Sequence, residues 1–400
     1  MTSIDRTASG SFRMIAADSA RFGLIALIAF LTLVDLFAAQ AILPSLVEKF
    51  GVSRATMGFA VNASTFGMAV SGLAIALFGR NVDRRNGIWI SLLVLAVPTM
   101  LLSVTDDITV FALLRVAQGL CMSAAFTLTV AYLAEHFSPA KATGALAAYV
   151  TGNVASNFFG RILSAAVADS LGISINFLTF AGLNIAGAAL VFFALKKTER
   201  SMSVSSGSSS SAGAWKAQLA HPELRNTFVI GFLILFVFIG TYTYVNFHLV
   251  AEPLSLSPMA LGLVYLVFLP SMLTTPLAGR VAARVGPGTG IALTLGLAIA
   301  GVASLLSTSL PIVLAGLALI AVGTFLAQAI ATGFVSRTAK QDRAVASGIY
   351  LASYYSGGLV GSLVLGQVYD RFSWPACVAV LIAALALAAL SARALKTPSP

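Results

Sequence analysis

The feature that most constrains this chain's fold is a series of apolar stretches, each about 20 residues long and separated by short polar breaks. A helix of that length crosses the hydrocarbon core of a bilayer, whereas β-barrel strands are shorter and alternate in polarity. The chain is 58% hydrophobic and 10% charged, far from a soluble domain. We therefore predict an all-α polytopic membrane protein. The predicted spans are 24–43, 55–78, 88–105, 108–134, 145–168, 173–195, 227–250, 259–278, 288–308, 311–335, 343–366 and 375–392.

The basic residues indicate how these twelve helices are oriented. Of the 24 Lys and Arg residues, 19 fall in the two termini and in the loops that follow even-numbered spans. Only Lys49, Arg54 and Arg371 fall in loops on the other side. By the positive-inside rule both termini are predicted to be cytoplasmic. The net charge of +10 is thus explained by topology, and no nucleic-acid partner is expected.

A Ser-rich segment in the middle of the chain divides the spans into two groups of six. The sequence around Gly79-Arg80 is partly repeated around Gly279-Arg280, at the equivalent place in the second half. Paired halves with a substrate site between them are common in secondary transporters. The predicted domains are an N-terminal cytoplasmic tail (1–22), a six-helix half (23–195), a cytoplasmic linker (196–226), a second six-helix half (227–392) and a cytoplasmic tail (393–400).

Three ionisable residues lie inside predicted spans, where a charge is costly and usually has a partner or a function. Asp35 lies in span one, Arg115 in span four and Arg161 in span five. Counted at about 1.5 Å per residue, all three lie at a similar depth below the outer surface. We therefore expect a charged cluster in a polar cavity within the bundle, which suggests transport.

The Gly79-x-x-x-Asp83-Arg84 loop lies between spans two and three, and Arg115-Val-Ala-Gln118-Gly119 lies in span four. The first resembles a signature of the major facilitator superfamily, and the second resembles a motif of the proton-coupled members of that superfamily. Asp35, followed by Leu43-Pro44, is similar to the span-one acid motif of twelve-span drug/proton antiporters. The resemblance implies the two-half major facilitator fold and transport by alternating access.

Further segments resemble the acriflavine-sensitivity-type inner-membrane transporters of this superfamily, and they include Tyr149-Val-Thr-Gly152-Asn153 and Gly160-Arg161. The Gly-Pro signature that antiporters carry in span five is absent here. Import or facilitated movement therefore stays open beside export.

Asp35 and Arg115 are predicted to couple transport to protons. A buried carboxyl favours its neutral form, whereas a nearby guanidinium favours the ionised form, so such a group can exchange a proton as its surroundings change. The alternative is a permanent Asp35–Arg115 ion pair that holds span one to span four. Arg161 is open between binding an anionic substrate, modulating Asp35 and serving as a structural counter-charge.

Two further groups of residues complete the predicted site. The conformational loop, which the resemblance implies latches the halves in one state, comprises Gly79, Asp83, Arg84, Arg85 and Gly87. A plain basic anchor is the alternative for this loop. The predicted substrate cavity comprises Arg161, Gln118, Asn153, Tyr242, Asn246, Gln328 and Tyr354.

The function predicted from these features is proton-coupled export of a small amphipathic organic compound. The first alternative is an importer or facilitator of a small organic anion, and the second is a non-transporting receptor or scaffold. No enzyme activity, metal site or cofactor is expected, since no metal-binding spacing or phosphate-binding glycine loop is present. We expect a multi-pass plasma-membrane protein (inner membrane in a Gram-negative bacterium) that functions as a monomer, with the substrate, protons and lipid as partners.

Overall fold

The computed structural model describes residues 3–78, 82–137, 139–195, 211–339 and 343–395. These residues are almost entirely helical, so the predicted all-α class is confirmed. The helices are α1 (Ser3–Ala41), α2 (Leu43–Phe50), α3 (Arg54–Phe78), α4 (Arg84–Leu101), α5 (Ile108–His136), α6 (Pro139–Leu171), α7 (Ile173–Ala194), α8 (Ser211–Ala220), α9 (Pro222–Val250), α10 (Pro258–Val264), α11 (Leu269–Thr274), α12 (Ala278–Val285), α13 (Pro287–Ser304), α14 (Leu310–Thr338) and α15 (Arg343–Ala392).

Nine of the described helical segments are long and apolar enough to cross a membrane. The last of them contains a break at Ser373, whose φ of 72° is left-handed, so α15 is two helices in sequence. Helices α4 and α6 lie where the third and fifth spans are predicted. The eighth predicted span (259–278) is divided into α10 and α11 by a short 3₁₀ turn that precedes Leu269, and a second 3₁₀ turn leads into α12, which extends the helical segment beyond the predicted end to Val285.

Polar side chains fix where several helices begin. Asp83 caps α4 by accepting a hydrogen bond from the Asn86 N–H at 2.7 Å. Asp107 caps α5 by accepting from the N–H groups of Thr109 and Val110, both at 2.8 Å. The helix starts therefore follow from local sequence.

The two halves are built alike. In the first half α1 packs on α6, and in the second α9 packs on α15. A Cβ atom on Gly152 of α6 would lie 2.0 Å from the Ala26 carbonyl oxygen, and one on Gly357 of α15 would lie 2.0 Å from that of Phe232. Glycine therefore allows the same close helix approach in both halves. The halves meet where α3 packs on α15 and α6 packs on α10.

We call the end of the bundle that carries the turns at 51–53, 102–107 and 251–257 the outer end, and the end that carries Leu195 and Ser211 the linker end. Four hydrogen bonds between described residues join the halves towards the outer end. They run from Ala55 N to Asp370 Oδ2 (3.2 Å), from Ser362 Oγ to Gly58 O (2.8 Å), from Asn62 Nδ2 to Thr243 Oγ1 (3.1 Å) and from Asn246 Nδ2 to Gln40 O (2.9 Å).

Candidate transport site

Asp35 lies on α1 in a shell of neutral polar side chains. Its Oδ1 accepts from Thr99 Oγ1 and from Gln118 Nε2, both at 3.4 Å, and Asn184 lies within side-chain hydrogen-bonding reach. The other carboxylate oxygen, Oδ2, has no donor among the described residues, and the side chain is only 3% exposed. Asp35 is thus a buried acid held by long contacts to groups that carry no charge.

Thr99 is the centre of this shell. Its hydroxyl accepts from Gln118 Nε2 at 2.7 Å and from Asn184 Nδ2 at 3.2 Å. The amide oxygen of Asn184, like Asp35 Oδ2, lacks a donor in the described part of the chain. The pocket therefore contains two unpartnered acceptors, and a proton on the carboxyl would supply a donor that the pocket lacks.

Arg115 on α5 contacts the backbone of Asp35 rather than its carboxylate. All five guanidinium N–H donors find acceptors, and no ion pair joins Arg115 to Asp35 among the described residues. The ion pair between these two side chains that the alternative requires is therefore not formed in this structure. The acceptors are Val61 O (2.8 Å), Asp35 O (3.1 Å), Gln118 Oε1 (2.7 Å), Leu36 O (3.2 Å) and Ser64 Oγ (3.1 Å).

Gly119 explains how Arg115 reaches α3. A Cβ atom on Gly119 would lie 1.9 Å from the Ser64 carbonyl oxygen, and one on Gly67 of α3 would lie 2.1 Å from that of Val116. The two glycines face each other across α3 and α5 and allow these backbones to touch. The Arg115-x-x-Gln118-Gly119 pattern therefore combines a hydrogen-bonding centre with the close contact that positions it.

Arg161 belongs to a separate cluster, so the expectation of one cluster containing all three charges is not met. It is fully buried, at 0% exposure, and its Nη2 donates to Gln40 Oε1. The Tyr265 side chain lies within hydrogen-bonding reach of the guanidinium, but the Nε and Nη1 atoms make no hydrogen bond of good geometry to any described residue. Four aromatic rings surround the guanidinium carbon, those of Tyr265 (4.3 Å to the ring centroid), Phe37 (5.3 Å), Tyr242 (5.8 Å) and Phe268 (5.8 Å).

A chain of amides continues from Arg161 across the interface between the halves. Gln40 Nε2 donates to Asn62 Oδ1 at 2.6 Å, and Asn62 donates in turn to Thr243 in the second half. Tyr265 OH donates to Asn246 Oδ1 at 2.6 Å, and Asn246 Nδ2 donates to the backbone carbonyl of Gln40. The cluster thus ties α1, α3 and α6 of one half to α9 and the segment after α10 of the other.

The structure separates the predicted cavity residues. Arg161, Tyr242 and Asn246 meet in one cluster, and Gln118 lies beside Asp35 in the other. Tyr354 is buried between Tyr350 and Tyr355, with ring centroids 6.1 and 5.5 Å away.

Asn153 and Gln328 are half-buried, and neither contacts the two clusters, although Asn153 lies two turns from Arg161 on the same face of α6. Sequence reasoning missed Gln40, Asn62, Thr99, Asn184 and Tyr265. Asn62 and Asn184 are amides inside apolar spans, so the reasoning that found the three charges would also have found them.

The described residues of the predicted loop make contacts within the first half. Arg84 Nη2 lies 2.9 Å from Glu135 Oε1 at the end of α5, a partly exposed ion pair that contributes little to stability. Arg85 donates to the Phe192 carbonyl of α7 and lies over the ring of that residue, 4.7 Å from its centroid. A Cβ atom on Gly87 would lie 2.5 Å from Leu128 Cδ1. Gly79 lies outside the described residues.

Within the described residues, no group of three or more His, Cys, Asp or Glu side chains is arranged to hold a metal ion.

These features define a polytopic helical bundle of two similar halves with buried polar clusters in and beside their interface. The sequence profile of the Major Facilitator Superfamily matches residues 25–340 and 247–400. The chain therefore belongs to that superfamily, and it is a multi-pass membrane transporter rather than an enzyme.

Similar proteins are transporters by name. An uncharacterized transporter of Buchnera aphidicola (subsp. Schizaphis graminum) is 25% identical over 361 residues, which are 90% of this chain and 87% of that protein. The uncharacterized MFS-type transporter YybF of Bacillus subtilis is 25% identical and covers 92% of each chain. The inner membrane transport protein YnfM of Escherichia coli is 24% identical and covers 89% of this chain and 85% of its own.

Solved structures share the fold. The bacterial homologue of the human lysosomal transporter Spinster, inward-facing and unoccupied, superposes with a TM-score of 0.75 at 14% identity, covering 96% of this chain and 99% of that one. The inward-facing and occupied form of a bacterial Spinster homologue gives a TM-score of 0.72 at 14% identity, covering 95% and 99%. At this identity the likeness concerns the fold alone.

Proposed function

We propose that this chain is a proton-coupled secondary transporter that exports a small amphipathic organic compound by alternating access, with Asp35 as the proton carrier. The observation that carries the proposal is that Asp35 is buried and yet has no ion-pair partner among the described residues. A charge at membrane depth with no fixed counter-charge favours a functional role.

The arrangement around Asp35 suits a group that changes its protonation state. Because the N–H donors of Arg115 are satisfied by other acceptors, Asp35 can gain a proton without leaving any of these donors unsatisfied. The contacts to Thr99 and Gln118 are long, at 3.4 Å, so the ionised form is only weakly held. In the proposed cycle Arg115 positions the backbone of α1, and Asp35 exchanges the proton.

Alternating access requires the contacts between the halves at the outer end to open. The four hydrogen bonds there involve neutral groups or one carboxylate at a helix start, and each is weak enough to exchange with water when the halves separate. We assign control of the reverse motion to the loop that contains Asp83, Arg84 and Arg85, at the linker end.

Export and an inner-membrane location rest on likeness. The span-one acid and the Arg115-x-x-Gln118-Gly119 pattern resemble those of drug/proton antiporters, and YnfM of Escherichia coli is named an inner membrane transport protein. The proton gradient and the membrane potential would supply the energy, and a single chain would suffice.

A second candidate is the import or facilitated movement of a small organic anion. The observation that favours it is Arg161, a fully buried cation with two nitrogen atoms that lack acceptors among the described residues. An anionic guest would complete this site.

The test is proton movement in proteoliposomes that carry the purified wild-type protein or Asp35→Asn. A pH-sensitive dye inside the vesicles reports protons while lipophilic cations and small organic anions are added one at a time. We expect at least one compound to move protons with the wild type and none with Asp35→Asn. Exchange of that compound across the vesicle membrane without a proton gradient should persist in the variant, because exchange needs no net proton transfer. Persistent exchange would also show that the variant is folded.

The outcomes separate the candidates. Uphill transport by Asp35→Asn with unchanged proton movement would overturn the role of Asp35. Transport of anions that moves no protons in either protein would favour the facilitator. The absence of any transported compound, with the protein folded, would count against the proposed substrate class.

A further inference from the structure

We infer that Arg161, together with Asn157 and Asn153 on the same face of α6, binds the anionic group of an amphipathic substrate whose apolar part lies against the aromatic rings of the second half. The inference rests on the proposed function, since it names the class of compound that the transporter carries. It assigns that compound as an organic anion that also bears a hydroxyl or amino group.

The first argument compares the two arginines that are buried inside helices of the first half. Arg115 is 1% exposed and all five of its N–H donors are satisfied by protein acceptors. Arg161 is 0% exposed, and beyond Gln40 only the Tyr265 side chain lies within hydrogen-bonding reach of it in the described part of the chain. Its Nε and Nη1 atoms make no hydrogen bond of good geometry there, and no described carboxylate forms an ion pair with it. A buried cation with unused donors is costly unless another molecule satisfies it.

The second argument is the aromatic surroundings. The guanidinium carbon lies 4.3 Å from the Tyr265 ring centroid and 5.8 Å from those of Tyr242 and Phe268. Ring faces attract the cation and hold its position. They also offer flat apolar surface to a guest. These three residues belong to the second half, whereas Arg161 belongs to the first, so one guest would contact both halves.

The third argument is a polar stripe along α6. Asn153, Asn157 and Arg161 follow one another at intervals of four residues, so they share one helix face at steps of about 6 Å. Asn153 Oδ1 and Asn157 Oδ1 have no donor among the described residues. Amide oxygens accept hydrogen bonds, so they suit a hydroxyl or amino group placed about 6–12 Å from the anion.

The structural alternative is that Arg161 only pins the interface through Gln40 and the aromatic rings. That role predicts that removing the charge of Arg161 lowers the stability of the protein. It also predicts that charged and neutral guests bind with the same affinity. Selective loss of anion binding therefore distinguishes the two.

The test uses matched probes and purified full-length protein in detergent without a gradient. The probes are 6-hydroxy-2-naphthoate, its neutral amide 6-hydroxy-2-naphthamide, 2-naphthoate without the hydroxyl, and 4-hydroxybenzoate as a smaller acid. Binding is followed by naphthalene fluorescence and by titration calorimetry. The variants are Arg161→Gln, Asn157→Leu and, as a control, Arg371→Gln, which removes the same charge from an exposed position.

We expect the hydroxynaphthoate to bind the wild type and the Arg371→Gln control alike. Its affinity should fall about 10- to 100-fold in Arg161→Gln, as for loss of a charge-assisted hydrogen bond. Asn157→Leu should remove the advantage of the hydroxynaphthoate over 2-naphthoate. The amide should bind every protein weakly and equally.

The inference is wrong if no acid binds the wild type, or if the amide binds as tightly as the acid. It is equally wrong if Arg161→Gln binds the acid as tightly as the wild type does, provided that the variant gives a single symmetric peak in size-exclusion chromatography and is therefore folded. Should that variant fail to fold, the acid–amide comparison on the wild type and the Asn157→Leu result still decide. Arg161-dependent binding without proton movement in vesicles would refute the proposed coupling alone.

Discussion

Replacing Gly119 with alanine should separate α3 from α5 and disconnect Arg115. The added Cβ would lie 1.9 Å from the Ser64 carbonyl oxygen and 3.0 Å from Met68 N. A carbon and an oxygen in ordinary contact are about 3.4 Å apart, so the backbones must move apart by about 1.5 Å. Both obstructing atoms belong to helix backbone, which no rotamer change can relieve.

The same displacement breaks hydrogen bonds of the buried arginine. The bonds from Arg115 to Val61 O and Ser64 Oγ, now 2.8 and 3.1 Å, would lengthen beyond hydrogen-bonding distance. Overpacking alone costs about 1–3 kcal/mol. Polar contacts inside membrane bundles contribute about 0.6 kcal/mol on average. We therefore expect a total loss of about 2–4 kcal/mol in the free energy of unfolding.

Thermal melting in one detergent measures this effect, with Gly296→Ala as the matched control. A Cβ on Gly296 meets no atom within 4 Å, so the control should show only the gain of about 0.5–1 kcal/mol that alanine has over glycine inside a helix. The melting temperature of Gly119→Ala should fall by about 2–5 °C. If the two variants melt together, the close approach of α3 and α5 is not what positions Arg115.

Three further predictions concern other parts of the molecule. Asp370→Asn should weaken the contact with Ala55 N by about 0.5–1 kcal/mol. The distance between spin labels at Glu48 and Glu252, two exposed outer positions, should then increase. Asp106→Asn is the control, since Asp106 pairs with Lys49 in its own half, and it should leave that distance unchanged. Asp83→Asn should keep the cap of α4, whereas Asp83→Ala should lose about 1 kcal/mol of stability. Loss of transport in both variants would support a latch, and loss in the alanine variant alone would support a simple helix cap. Tyr242→Phe removes the hydroxyl that donates to Leu317 O at 2.6 Å but keeps the ring beside Arg161; stability should fall by about 1 kcal/mol while binding of the naphthoate probe is unchanged, and a large loss of binding would show that the hydroxyl contacts the guest.

The sequence predicted that the chain consists of long apolar helices, but it did not place the three charges relative to one another: Arg115 contacts the backbone of Asp35 and Leu36, whereas Arg161 contacts Gln40, four to five residues further along α1. Hydropathy over about 20 residues identifies a membrane helix, and a rise of about 1.5 Å per residue gives the depth of each position. Asp35 and Arg115 accordingly meet, and Gly119, the glycine that ends the Arg115 motif, does bring two helices together.

The direction in which each side chain points could not be predicted in the same way. A membrane helix is apolar on its lipid face and on much of its packed face, so its sequence carries little record of rotation about the axis. For this reason Arg161 was expected beside Asp35, although it turns towards Tyr265 in the other half. The backbone acceptors of Arg115 were equally hidden, since carbonyl groups are the same in every sequence.

The central claim, that Asp35 gains and loses a proton, is tested most directly by infrared difference spectroscopy of the purified protein across the pH range in which it stays folded. Among the residues whose burial the structure describes (which leave out residues 1–20), Asp35 is the only buried carboxyl group, so its C=O stretch is expected apart from those of hydrated acids. The account predicts a carboxylic acid band that appears on acidification in the wild type and is missing in Asp35→Asn. Identical spectra from the two proteins would mean that Asp35 does not change its protonation state, and would contradict the proposed coupling.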